Sequence, residues 1–178
     1  MNFNSKLAVV LPALFLFTGC TDQPEPVLEG LDSSGEVEIP APTIDQRSYR
    51  LGSIGAFAEM VGAEVKELAL SAPMTQKELD ALVEAAQGIA AENGAELYLE
   101  PDFLVTDLFS PELTNGKQVL LIYRGQTLER YQGLKAEKRR LEEEGRYQGE
   151  ARLEIARRFG RLLSYSDERI EALLAGSG

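Results

Sequence analysis

The side chains that could do chemistry together stand at the ends of apolar runs. Arg124 directly follows Val119-Leu120-Leu121-Ile122-Tyr123, Ser71 closes the run from Val65, and Glu100 and Asp102 flank Pro101. A guanidinium at the exit of a buried strand, beside a helix N-terminus, can hold a carboxylate or phosphate in a bidentate pair. Arg124, Ser71 and Asp102 are therefore the candidate ligand-binding residues, with Thr75, Gly125 and Gln126 nearby in the chain. The simpler alternative, and the favoured one, pairs Arg124 with Glu100 or Asp102 and merely closes the sheet edge. The carboxylate pairs Glu100/Asp102 and Asp102/Asp107 have the types needed for acid/base work or for a hard cation. Their spacing matches no metal loop, and capping or surface charge explains them more simply. No catalytic residue, metal ligand or cofactor is assigned.

Histidine is absent and Cys20 is the single cysteine. This removes Ser/His and Cys/His triads, His-bearing zinc sites and internal disulfides together. Carboxylates, lysines, hydroxyls and backbone remain as candidate chemistry. With 29 acidic and 18 basic residues the formal net charge is −11, which supports solubility and is not the profile of a nucleic-acid binder. The balance is uneven: Thr21 to Tyr123 carries 19 acids against 5 bases, whereas Arg124 to Arg161 carries 11 bases against 7 acids. Lys135, Lys138, Arg139 and Arg140, followed by Glu142, Glu143 and Glu144, read as a solvated helix face laced with i,i+3 and i,i+4 pairs.

Phe103, Leu104, Val105, Leu108 and Phe109 form an apolar group after the second strand. Core filler is the first expectation. A lid over the strand ends and an exposed interaction patch made by Phe103, Leu104, Leu108 and Phe109 are the alternatives, and contiguous exposure would favour the patch.

The elements that must position these residues follow from periodicity. A helix begins near Ser48, with Leu51, Ile54, Phe57, Ala58 and Val61 on one face and Gly52, Gly55 and Gly62 marking close packing. A short strand covers Val65 to Ser71. Thr75-Gln76-Lys77-Glu78 is a capping box, and Leu79, Leu82, Val83, Ala86, Ile89 and Ala90 form one stripe until Asn93-Gly94. Ala95 to Glu100 alternates as a second strand, Ser110-Pro111 opens a single helical turn, and Val119 to Tyr123 is a strand buried on both faces. Three helices follow, to about Gly145, then through Leu163, then from a Ser166 cap. The expectation is one small α/β domain, residues 47–178, of three strands, parallel in direction, with flanking helices and a helical C-terminal part.

The N-terminal stretch has another character. Met1 to Lys6 is polar, Leu7 to Phe17 is apolar and uncharged, and Thr21 starts a hydrophilic segment. This is the layout of a secretory signal, too short for a bilayer span of about 20 residues. Phe17-Thr18-Gly19-Cys20 resembles the lipobox of bacterial lipoproteins, a large apolar residue and two small residues before cysteine, with Phe17 where leucine is usual.

That resemblance implies cleavage before Cys20, removing residues 1–19, and a diacylglyceryl group on the Cys20 sulfur. Thr21, in place of a retention-favouring aspartate, implies the outer membrane, with the protein facing the periplasm. Two or more acyl chains make a durable anchor.

Residues 20–46, with Pro24, Pro26, Pro40 and Pro42 and several acids, read as a flexible linker that holds the domain off the membrane. The function expected is a noncatalytic, membrane-tethered binding or interaction module, its partners the membrane itself and an envelope protein. The alternative is a small-anion binder or enzyme at the strand ends.

Overall fold

The structure is a computed structural model that describes residues 43–109, 112 and 115–176. Cys20, the signal-like segment and most of the linker lie outside the described residues, as does the turn expected to open at Ser110-Pro111.

Helix α1 spans Gln46–Gly62, capped by the Asp45 carboxylate, which accepts from the amides of Arg47 and Ser48. Its buried residues are Ile54, Ala58 and Val61, at helical spacing. Two of the three α1 glycines pack as anticipated. A Cβ on Gly62 would lie 1.8 Å from the Asn93 carbonyl oxygen, and one on Gly55 would touch Ile89 at 3.4 Å, whereas Gly52 faces open space.

Strand β1 is short, Leu68–Leu70. The apolar stripe read as one helix is two, α2 (Gln76–Asp80) and α3 (Val83–Glu92). The capping box forms in full: the Thr75 hydroxyl accepts from the Glu78 amide, and Glu78 accepts from the Thr75 amide. A contact from a distant part of the chain stands at the break. Arg47 Nε donates to the Ala81 carbonyl at 3.0 Å, and Leu82 takes φ −131° as its amide bonds Leu79. The stripe survives the break because Leu79 and Leu82 remain buried on the same side.

Strand β2 (Glu96–Glu100) and strand β3 (Val119–Tyr123) follow, then α4 (Thr127–Glu143), α5 (Gly149–Leu162) and α6 (Asp167–Ala175), the last capped by Ser166. The domain is thus a small α/β fold with three strands, flanking helices and a helical C-terminal stretch.

The strand direction differs from expectation. The sheet order is β1-β3-β2, and β3 pairs antiparallel with both neighbours, Leu70 opposite Leu121 and Glu100 opposite Val119. The continuous apolar run of β3 suggested a parallel sheet, but what it reports is burial on two faces. Val119, Leu121 and Tyr123 join one core cluster with α4, α5 and α6, while Leu120 and Ile122 join another with α1, α2 and α3. A central strand between two helical layers is apolar throughout in either direction.

Candidate functional site

The antiparallel sheet separates the residues that a parallel one would have gathered. Ser71 lies opposite Leu120, its amide donating to the Leu120 carbonyl, while Arg124 leaves the far end of β3. Four residues of strand put them ~13 Å apart along the sheet. At its own end, Arg124 pairs with Glu64 at 2.6 Å and donates to the Gly62 carbonyl. Its partner is therefore neither Glu100 nor Asp102.

Asp102 sits at a third place. It is exposed and pairs with Lys135 at 3.1 Å and Arg139 at 3.6 Å, both from α4. Glu100 is 2 % exposed and accepts from Lys135 Nζ at 2.9 Å and from the Asp102 amide. Two of the cations expected on a solvated helix face are thus turned onto the loop after β2. Lys138–Glu142 and Arg140–Glu144 do form the expected i,i+4 pairs. Thr75 is occupied by its capping box.

The residues weighed as an interaction patch belong to the core. Leu104 and Leu108 are buried, and Phe103 and Phe109 pack edge-on against Phe159 at 5.7 and 5.8 Å between centroids. Their segment is irregular yet held: the Leu104 amide donates to the buried Tyr131 hydroxyl at 3.0 Å. Burial, followed by the Glu100 and Asp102 carboxylates, raises the pKa of that hydroxyl far above the ordinary range. A contiguous exposed patch is not what these side chains form, because the α4–α6 layer needs them as filling.

Phe103 and Phe109 nonetheless retain one open side. Together with Phe57 from α1, Leu70 and Val119 from the sheet, and Leu163 and Tyr165 from the turn between α5 and α6, they wall an apolar pocket of about 230 Å³. It lies at β1, the three-residue edge strand of the sheet.

Besides Tyr165, two residues with polar side chains line the pocket. Ser71 is spent on the fold: its hydroxyl donates to the Ala72 carbonyl at 3.0 Å and accepts from the Leu120 amide at 2.9 Å. It continues the β1–β3 ladder by side chain where the backbone departs.

Lys66 is different. Its Nζ donates to the Leu163 carbonyl at 2.6 Å and lies 5.6 Å from the centroid of the Tyr165 ring. Among the described residues no carboxylate pairs with it. The adjacent ones are committed, Glu64 to Arg124 and Glu67 to Arg130 at 2.8 Å. Desolvation by burial lowers the pKa of the Lys66 ammonium.

Compared with known proteins, the chain matches no family model, and no curated protein or solved structure is similar to it at a significant level. The site is therefore read from its own geometry. Among the described residues no group of three or more histidines, cysteines or carboxylates is placed to hold a metal ion.

Lys66 and Phe57 carried no signal in the sequence. Lys66 is one base in an acidic half, and Phe57 is one apolar position on a helix face. Only the meeting of α1, β1 and the α5–α6 turn gives them a common cavity.

Proposed function

We propose that this chain is a lipid-anchored protein of the bacterial envelope, held at the outer membrane and facing the periplasm, whose globular domain is a noncatalytic binding module. Support for the anchor is the run Phe17-Thr18-Gly19-Cys20 after an apolar segment. A Cys20-linked lipid is the attachment put forward on that run; among the described residues no helix is long and apolar enough to cross a membrane. The stretch between Cys20 and the Asp45 cap of α1, acting as a flexible linker, would give the domain a reach on the order of 30 Å.

One observation carries the binding role: an open apolar pocket on which aromatic side chains converge from three separate segments. The Ser71 hydroxyl is committed to backbone, and the aromatic walls suit capture of an apolar group.

Intact-mass analysis of the natural N-terminus tests the anchor. The expected product begins at Cys20 with added acyl mass, and Cys20→Ser abolishes that mass. An unmodified cysteine in the native protein overturns the assignment. Titration with ethylbenzene, read on pocket methyl resonances, tests the binding role. Saturable shifts at Leu70, Val119 and Leu163 are expected, and their absence counts against the pocket.

A further inference from the structure

We infer that the pocket at the β1 edge takes a small aromatic or short-chain carboxylic acid, its apolar body against Phe57, Phe103 and Phe109 and its carboxylate on Lys66 Nζ. This rests on the pocket being the domain's binding site and names the class of ligand.

Size sets the first limit. An apolar cavity of about 150 Å³ stays dry and binds benzene. At about 230 Å³, this pocket has room for one ring, or an aliphatic body of similar bulk, with a short polar arm.

Charge sets the second. Lys66 carries three N–H donors, and the fold engages one of them, at the Leu163 carbonyl. Glu64 and Glu67, the nearest carboxylates in sequence, are paired with Arg124 and Arg130. The wall therefore presents an ammonium partly stripped of water that forms no ion pair among the described residues, although Glu64 and Glu67 line a second cavity beside it. A ligand carboxylate supplies the opposite charge and accepts the remaining donors. A ligand ammonium meets like charge in the same place.

Hydration sets the third. Phosphate and sulfate need several converging donors to offset their lost water, and here a single ammonium stands among apolar walls. A monoanion with most of its surface apolar matches both parts of the lining.

The test uses the full chain in lipid nanodiscs, with pocket methyl resonances titrated against three ligands that share a phenyl ring on a two-carbon chain: phenylacetate, ethylbenzene and phenethylamine. Phenylacetate should bind about tenfold or more tightly than phenethylamine, the worth of one charge-assisted contact. Lys66→Met should erase that preference while leaving ethylbenzene within about twofold, and Lys66→Arg should keep it. Leu70→Trp, which fills the pocket, should abolish binding of all three.

Equal binding of acid and amine, unmoved by Lys66→Met, overturns the acid assignment while the pocket stands as an apolar site. Absence of any binding, or binding that persists in Leu70→Trp, overturns the pocket as a binding site and the inference with it. Lipid-chain contacts at these methyls that phenylacetate does not displace do the same for the acid.

Discussion

Lys135 on α4 reaches the nearly buried carboxylate of Glu100, at the end of β2, with 2.9 Å between Nζ and the carboxylate oxygen. The same ammonium holds the exposed Asp102 at 3.1 Å. One side chain thus fixes the exit of β2, and with it the start of the segment that delivers Phe103 and Leu104 to the core. Breaking a buried pair from one side leaves an uncompensated charge, which costs far more than the pair itself contributes.

Lys135→Met is accordingly expected to lower stability by about 3 kcal/mol. Adding Glu100→Gln should restore most of that loss, since the amide needs no counter-charge and can still accept from the Asp102 amide. A double-mutant cycle by urea denaturation measures the coupling. Simple additivity of the two changes would show that the ion pair does not hold the β2 exit.

Two glycines of α1 should respond with opposite sign. Gly62→Ala drives a methyl into the Asn93 carbonyl, a backbone atom that cannot swing aside, and should destabilise by about 3 kcal/mol. Gly52→Ala meets nothing within 4 Å on an exposed helical surface. It should stabilise by up to about 1 kcal/mol through helix propensity. Thermal melts of the two variants decide this, and a harmless Gly62→Ala would contradict the close contact of α1 with the end of α3.

The capping box of α2 makes stability pH-dependent in a defined direction. Hydrogen bonds from the Thr75 amide and hydroxyl, with help from Arg50, hold the Glu78 pKa below its ordinary 4.5. A depressed folded value means that the unfolded chain takes up the proton first as pH falls. The contribution of Glu78 is therefore fully present above about pH 4.5 and is lost as pH drops through the lower folded value. Native protein and Glu78→Gln should differ at neutral pH and converge under acid, as read by denaturant midpoints across a pH series. Thr75→Ala should cost about 1 kcal/mol at neutral pH.

Arg124, prominent in the sequence, should matter little. Its pair with Glu64 is exposed on both sides, and such pairs contribute about 0–1 kcal/mol. Arg124→Ala should shift the denaturation midpoint by no more than that. Inorganic phosphate should leave the Arg124 side-chain resonances unmoved. A saturable phosphate shift there would reopen an anion site at the β3 exit.

By itself the sequence determined what depends on neighbours along the chain. The Thr75 capping box, the Ser166 cap, the apolar faces of α1 and α5 and the two-sided burial of β3 are set by spacings of a few residues, and each is present as read. The break between α2 and α3 was hidden, and the Arg47 side chain that bonds the Ala81 carbonyl there lies 34 positions earlier.

Strand direction was hidden too, since the apolar content of β3 is the same whichever way its neighbours run. Once both edges proved antiparallel, Arg124 went to one end of the sheet and Ser71 to the other, and the residues that chemistry had grouped came apart. Tertiary structure alone put Phe57, Lys66, Phe103 and Tyr165 around one cavity at a short edge strand, because they come from separate segments of the chain and no local spacing encodes that meeting.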